Sequence, residues 1–161
     1  MKIGVVSDTH DVASNVARIA EIFREAGVER IIHTGDITRA RTLTALAAAG
    51  VPLAGVYGNN DVLRDELEAE ARRLGFELHD GPLELQWAGR RLIVAHDPRE
   101  LAGRIDPGHA VVLHGHIHRR ILERSPERLT FNPGECAGHL AGHNAVGIVD
   151  LVDLDVRLRF F

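Results

Sequence analysis

The stretch KIGVVSDTH, residues 2–10, sets the pattern for the first half of the chain. Its apolar run, Ile3 to Val6, predicts a short buried strand that ends where the polar residues begin. Two more short runs follow, RIIH at 30–33 and LAGVY at 53–57. Each leads into a glycine and then into acidic or amide residues. The three runs therefore indicate a repeated unit that begins with a buried strand and a polar loop.

Helical spacing of apolar residues completes each unit. Between Val16 and Ala26, apolar residues recur every three or four positions, and the segments after residues 38 and 61 resemble this one. Ser14, Thr38 and Asp61 are predicted to open the three helices as N-terminal caps. The glycines predicted to end them are Gly27, Gly50 and Gly75. Strands that alternate with helices predict a parallel βαβ core.

The second half of the chain has the pattern of a second sheet. Alternating residues at 83–87 and an apolar strand at 91–95 flank a turn at 88–90, which predicts a hairpin. A short helix is expected at 98–104, and an apolar strand at 110–113 ends in several histidines. Further strands are expected at 121–123, 129–131, 145–151 and 156–160. We therefore expect a single α/β domain, residues 1–161, with two facing sheets and helices outside them.

The composition is that of an ordinary globular protein. Apolar residues make up 45% of the 161 residues and charged residues 26%, with a formal net charge of -4. This acidic balance argues against nucleic acid as a partner and against docking on an acidic membrane. Cys136 is the single cysteine, so no internal disulfide can form and a cytoplasmic location is expected. No apolar run approaches the length of a membrane span.

Five predicted strands end in residues that can bind a metal ion. These segments are Asp8-Thr9-His10, Gly35-Asp36, Gly58-Asn59-Asn60-Asp61, His96 and Gly115-His116-Ile117-His118. The carboxyl ends of strands in an α/β sheet meet at one edge, so the segments should converge. Mixed oxygen and imidazole ligands suit first-row ions such as Mn, Fe, Co, Ni or Zn. Because there are more ligands than one ion needs, two ions sharing a carboxylate are expected.

Each of these segments also has an ordinary structural explanation. An Asp-x-His pair is common in proteins without metals, a Gly-Asp pair is more often a turn, and His96 alone would be a hydrogen-bonded core residue. Gly-His-x-His is more specific. All five segments in this order, each at a predicted strand end, favour a metal site.

This set of motifs resembles that of the calcineurin-like metallophosphoesterase superfamily, from residue 2 to about residue 150. The segment 132–135, Asn-Pro-Gly-Glu, matches a further loop of that family. The short chain is similar to the small bacterial and archaeal phosphodiesterase branch. The resemblance implies a four-layer αββα sandwich of two mixed sheets flanked by helices, with a dinuclear metal centre.

The resemblance also implies a role for each ligand. Asp8, His10 and His118 would hold the first ion, and Asp36 would bridge the two ions. The ligands implied for the second ion are Asn59, His96 and His116. His114 is spaced by two residues from His116, as His116 is from His118, so spacing alone does not exclude it as a ligand. The family pattern, however, places it outside the ligand set. His33, Asp61 and Asp97 are expected to orient the ligating histidines.

The activity implied is that of a phosphoric ester hydrolase, in particular a phosphodiesterase acting on a small phosphate ester. Two divalent ions, with Mn²⁺ expected first and Ni²⁺, Co²⁺, Fe²⁺, Zn²⁺ or Mg²⁺ as alternatives, would activate a hydroxide that attacks phosphorus. Asp36 is expected to be catalytic as the bridge, and the amides of Asn59 and Asn60 to stabilise the phosphoryl oxygens.

Two departures from the family pattern bear on the substrate. Many members of the superfamily carry a histidine in place of Asn60, and that histidine protonates the leaving group. Asparagine cannot act as an acid at neutral pH, so we expect activated diesters to react better than alkyl monoesters. Asp97-Pro98 stands where related enzymes often have glycine and another histidine, and this affects the shape of the loop.

Two further functions compete with a phosphodiesterase. A phosphomonoesterase acting on a metabolite or protein is disfavoured because position 60 lacks an acid. A catalytically weak protein-binding scaffold of the same fold, as in a eukaryotic retromer subunit, would have lost metal ligands, and here every expected ligand type is present. The superfamily also contains nucleases, but no aromatic-basic interleaving is visible here.

The remaining histidines, His79, His109, His139 and His143, are expected at the surface or in loops. His139 and His143 follow the Asn-Pro-Gly-Glu loop, so the rim of the pocket is an alternative position for both. Cys136 is expected to be a small core residue. The ending, 157–161, alternates like a strand, and an exposed Phe pair there would suit a homodimer contact.

Overall fold

A computed structural model describes residues 1–161. Its helices are α1 (Ala13–Ala26), α2 (Ala40–Leu46) and α3 (Arg64–Leu74), with 3₁₀ turns at Ala47–Ala49 and Pro98–Leu101. Its strands are β1 (Lys2–Val6), β2 (Arg30–His33), β3 (Leu53–Val56), β4 (Glu77–His79), β5 (Leu83–Trp87), β6 (Arg90–Val94), β7 (His109–Leu113), β8 (Ile121–Arg124), β9 (Leu129–Asn132), β10 (Ala145–Asp150) and β11 (Val156–Phe160).

The strands form two mixed sheets, as the family resemblance implied, and they include β4, which the sequence pattern did not predict. The first sheet has the order β11-β10-β1-β2-β3-β4, with β1 to β4 parallel and β10 antiparallel to β1. The second sheet has the order β5-β6-β7-β9-β8, with parallel pairing of β6, β7 and β9 in its centre. Because β1, β2, β3, β6 and β7 all end at one edge of the molecule, their loops meet there.

Two apolar layers hold the sheets and helices together. One lies between the first sheet and the helices and includes Ile19, Phe23 and Leu43, which are fully buried. The other lies between the two sheets and includes Val5, Val94 and Leu113. The outer face of the second sheet is covered by the short 3₁₀ turn at Pro98–Leu101, so the fourth layer of the sandwich is thin.

The predicted helix caps were wrong, although the helices themselves were correctly predicted. The helices begin at Ala13, Ala40 and Arg64, and none has a side-chain cap. The predicted ends at Gly27 and Gly75 are confirmed, since both glycines adopt the left-handed conformation after their helices. The helix expected at 98–104 is shorter and of the 3₁₀ type. None of the helices combines the length and the hydropathy that a membrane span requires.

Candidate metal centre

The seven residues predicted as metal ligands lie in the loops at this shared edge. Asp8 and His10 follow β1, Asp36 follows β2, and Asn59 follows β3. The second sheet supplies His96, which follows β6, and His116 and His118, which follow β7. The structure brings these residues together across the two sheets.

We call Asp8, His10, Asp36 and His118 the first half of the centre. Their potential ligand atoms all lie within 4.8 Å of one another. His10 Nε2 is 3.4 Å from Asp36 Oδ2, and His118 Nε2 is 3.3 Å from Asp8 Oδ1. Asp8 Oδ1 and His10 Nε2 are buried and have no hydrogen-bond partner. Buried polar atoms without a partner are costly, and a divalent cation would satisfy both.

We call Asn59, His96 and His116 the second half. His96 Nε2 lies 3.0 Å from Asn59 Oδ1, 3.3 Å from His116 Nδ1 and 3.5 Å from Asp36 Oδ1. His96 Nδ1 is 2.9 Å from the carbonyl oxygen of Thr34, which can only accept, so in the neutral ring Nδ1 carries the proton. His96 Nε2 therefore presents a lone pair to the oxygens of Asn59 and Asp36. Converging lone pairs of this kind fit a cation.

Asp36 belongs to both halves. Its Oδ2 atom faces His10 and its Oδ1 atom faces His96, at 3.4 and 3.5 Å. Its side chain is 2% exposed. The carboxylate therefore lies between the two halves, with one oxygen directed to each.

The backbone at the candidate ligands is strained. Asp8, His10, Asp36, His116 and His118 all have positive φ, between 42° and 67°. Residues other than glycine seldom adopt this conformation, and it is found at functional sites, where the surrounding structure enforces it.

Two buried residues hold the strained loops in place. Asp61 accepts hydrogen bonds from the amides of Asp36, Thr38 and Gly58, at 3.0, 2.6 and 2.7 Å, and its burial raises its pKa. His33 Nδ1 accepts from the amide of Gly35 at 3.1 Å, so Nε2 carries the proton and donates to Thr9 Oγ1. The prediction that Asp61 and His33 orient the histidines was wrong, because both contact loop backbone or Thr9 instead.

Asp97 and Glu135 contact the histidines directly. Asp97 Oδ2 lies 3.5 Å from His116 Nε2, as its predicted role requires. Glu135, which is 1% exposed, has Oε2 3.4 Å from His118 Nδ1. A carboxylate beside the second ring nitrogen is the usual partner of a metal-binding histidine.

Glu135 was not predicted as part of the site, and His139 was expected at the surface or in a loop, with the pocket rim as an alternative. His139 Nδ1 lies 2.9 Å from Glu135 Oε2, and its ring stacks on that of His118 with centroids 5.3 Å apart. His139 is exposed, as expected, but it lies at the centre itself. Two features of the sequence could have indicated both residues. An acidic residue stands directly after Asn-Pro-Gly, and a histidine follows it four positions later.

Asn60 contacts the bridging carboxylate. Its amide N–H donates to Asp36 Oδ1 at 2.9 Å, and its side-chain Nδ2 donates to Asp36 Oδ2 at 2.7 Å. The Asp36 carboxylate is also packed closely against Gly58, because a Cβ atom at position 58 would lie 2.2 Å from Asp36 Oδ1. Position 58 therefore admits only glycine while Asp36 keeps this position.

The other histidines and the cysteine lie outside the centre. His79 and His143 are exposed, as expected. The prediction for His109 was wrong, because it is fully buried beside Arg91 and Asp106. His114 is also buried, its Nδ1 atom lies 3.3 Å from Asn132 Nδ2, and burial lowers its pKa. Cys136 is buried, as predicted, and burial raises its thiol pKa.

A family model described as the calcineurin-like phosphoesterase superfamily domain matches residues 1–154. The chain belongs to this superfamily. It is 33% identical over 161 residues to phosphodiesterase MJ0936 of Methanocaldococcus jannaschii, covering 98% of this chain and 97% of that protein.

Solved structures of the superfamily have the same architecture. The structure of an archaeal phosphodiesterase matches with a TM-score of 0.90 and 30% identity over 100% of both chains. YfcE, a phosphoesterase of E. coli, matches with a TM-score of 0.69 over 99% of this chain and 98% of its own. At 20% identity, the second likeness concerns the fold alone.

Proposed function

We propose that the chain is a metal-dependent phosphodiesterase that hydrolyses small phosphate esters at this centre. Asp8, His10 and His118 would hold one divalent ion and Asn59, His96 and His116 the other, with Asp36 shared. The observation that carries the proposal is the convergence of oxygen and nitrogen ligand atoms on both sides of Asp36, with Asp8 Oδ1 and His10 Nε2 left without a hydrogen-bond partner. The relative named as a phosphodiesterase supports the same reaction.

The two ions, when bound, would lower the pKa of water and neutralise charge on the phosphoryl oxygens. The chain supplies the geometry. Glu135 beside His118 and Asp97 beside His116 fix which ring nitrogen of each histidine carries the proton. Asn60 holds the Asp36 carboxylate at both of its oxygens, so the bridge cannot rotate freely.

Asn59 and Asn60 are exposed at the open side of the centre, where a substrate enters. Each amide has N–H groups that can donate to phosphoryl oxygens as charge develops. One N–H of the Asn60 side chain is already used on Asp36. Neither residue can donate a proton to a poor leaving group, which supports activated diesters over alkyl monoesters.

Manganese is our first choice of ion because the ligands mix carboxylate, amide and imidazole. A cytoplasmic location is proposed on the single buried thiol of Cys136, which has no partner for a disulfide. A homodimer through Phe160 is also proposed, but not through the expected Phe pair, because Phe161 is half-buried against the layer between the first sheet and the helices. The ring is 57% exposed, and the Arg120 guanidinium lies over it.

The test is hydrolysis by metal-stripped protein of bis(p-nitrophenyl) phosphate and p-nitrophenyl phosphate, with Mn²⁺, Ni²⁺, Co²⁺, Zn²⁺ or Mg²⁺ added back. We expect metal-dependent cleavage that is faster on the diester. Faster cleavage of the monoester would indicate a phosphomonoesterase. Inactivity with every ion, despite two ions bound per chain, would indicate a binding protein of the same fold.

A further inference from the structure

Two clefts border the metal centre, one at each half. The Arg99 cleft, of about 500 Å³, is bordered by Asn59, His96 and His116 of the second half and extends to Arg99. The Arg119 cleft, of about 320 Å³, begins at His118 of the first half. It is lined by His118, Arg119, Arg120, Gly134, Leu140 and His143. A substrate whose reacting phosphate lies at the centre would extend its two substituents toward these clefts.

The arginines of the Arg99 cleft are neutralised by the protein itself. Arg64 is paired with Asp80, and the Arg99 guanidinium donates to both oxygens of Asp97, at 3.1 and 2.8 Å. With Glu100 also present, the cleft has three carboxylates for two guanidinium groups. It offers no surplus positive charge to a substrate.

The Arg119 cleft has the opposite balance. None of its six lining residues is acidic. Arg119 is exposed and pairs with no carboxylate. Arg120 donates to the carbonyl oxygen of His143 at 3.2 Å and lies over the ring of Phe160, and neither contact cancels its charge. Two positive charges therefore face a concave surface that starts at a candidate metal ligand.

We propose that the Arg119 cleft binds a second phosphate group of the substrate. The substrate class is then a small phosphodiester with two different alcohols. One alcohol leaves on hydrolysis, and the other, which stays attached to the reacting phosphate, carries a terminal phosphate monoester. Guanidinium groups bind phosphate through paired, charge-assisted hydrogen bonds, and the cleft is large enough for one such group. The inference rests on the proposed phosphodiesterase function and adds the identity of the substituent that is retained.

The test compares two esters with the same leaving group, p-nitrophenyl ethyl phosphate and p-nitrophenyl 2-phosphoethyl phosphate, in Mn²⁺-loaded protein. The terminal phosphate should raise kcat/KM about tenfold, chiefly through KM, as expected for charge-assisted contacts at an exposed site. Arg119→Ala should remove most of this preference and leave hydrolysis of the ethyl ester unchanged. Arg124→Ala, at an exposed arginine outside the cleft, is the matched control and should keep the preference.

Several outcomes would overturn the inference. Equal kcat/KM for the two esters, or a preference that survives Arg119→Ala, would contradict a phosphate site here while leaving the phosphodiesterase function intact. A higher kcat/KM for a single-stranded oligonucleotide than for the phosphate-bearing ester would contradict a small substrate.

A binding measurement separates the inference from the proposed function if neither ester is cleaved. Inorganic phosphate is titrated into metal-free protein and followed by backbone amide NMR. The site predicts shifts at Arg119 and His143 that vanish in Arg119→Ala, with the amide of Arg124 unaffected. Absence of shifts at Arg119 would contradict the phosphate site independently of any hydrolysis.

Discussion

The first half of the candidate centre has two carboxylates, Asp8 and Asp36, whereas the second half has only its share of Asp36 and the neutral amide of Asn59. Each half also has two histidines. The carboxylates of the first half are at most 2% exposed, while Asn59 lies at the surface. A divalent ion in the first half would therefore meet one more negative charge, in a less solvated position, than an ion in the second.

This difference predicts that the two halves differ in metal affinity and in their access to substrate. The first half is expected to hold its ion firmly, because both its charge and its burial strengthen the attraction. The second half is expected to bind its ion more weakly, by about tenfold or more, and to offer the open side to the substrate. The shared Asp36 links the two, so a change there should affect both halves.

The largest effect is expected for Asp36→Asn. The substitution keeps the shape of the side chain but removes the negative charge that the two halves share. We expect kcat/KM on an activated diester to fall about a thousandfold or more, since metal-ion catalysis contributes several kcal/mol. Metal analysis should show fewer than two ions per chain. Two tightly bound ions together with near-normal activity would contradict the bridging role.

Glu135→Gln should affect the first half selectively. Glutamine can still accept the hydrogen bond from the amide of Leu140, which lies 2.8 Å from Glu135 Oε1, but it lacks the charge beside His118. Loss of such a partner typically weakens metal affinity 10- to 100-fold, and we expect this for the tighter ion. Glu123→Gln, at an exposed glutamate on β8, is the control. Equal affinities in the two variants would show that Glu135 does not position His118.

Asn60→His tests the chemistry on the open side of the centre. If the enzyme lacks a general acid that protonates the leaving group, the new histidine should supply one. Turnover of p-nitrophenyl phosphate should then rise by about tenfold, a modest share of what general acid catalysis can provide. Asn60→Gln, which restores no acid, should show no such gain. An unchanged monoester rate in Asn60→His would remove the missing acid as the explanation for a diester preference.

The smallest effect concerns His33, which supports the loops of the first half. Burial lowers its pKa from 6.5 to about 3, so the unfolded chain binds the proton more readily than the fold does. Its contribution to stability is therefore full above pH 6.5 and is lost as the pH falls toward about 3.

Denaturant unfolding of metal-free protein at a neutral and a mildly acidic pH measures this loss. His33→Gln should lose less stability on acidification than the parent chain. Comparing the two chains cancels the opposite contributions of Asp8 and Asp61, whose pKa values are raised by burial. An identical pH dependence in both chains would exclude His33 as the source.

The sheets and the convergence of ligands could be predicted from sequence because short apolar runs ending in polar residues define buried strands. The helix starts could not. Asp61 looks like a cap, but its carboxylate is used by three loop amides that come from residues 36, 38 and 58. Such tertiary contacts override a local capping preference, and they are invisible until the loops are assembled.

The supporting residues of the site were the least predictable part. Glu135 reaches His118 because β9 pairs with β7, which brings the segment after β9 beside the histidine loop. That pairing joins residues far apart in sequence. His109 was misassigned for a similar reason, since it is the first residue of β7 and its ring is enclosed by side chains from β5 and β6 and from the turn before β7.

The most direct test of the unequal halves is a calorimetric titration of metal-free protein with Mn²⁺, repeated on His118→Gln and His116→Gln. These two histidines lie in one loop but belong to opposite halves. We predict two binding events in the parent chain, with the tighter one lost in His118→Gln and the weaker one lost in His116→Gln. Two sites of equal affinity, or loss of the tighter event in His116→Gln, would contradict the account.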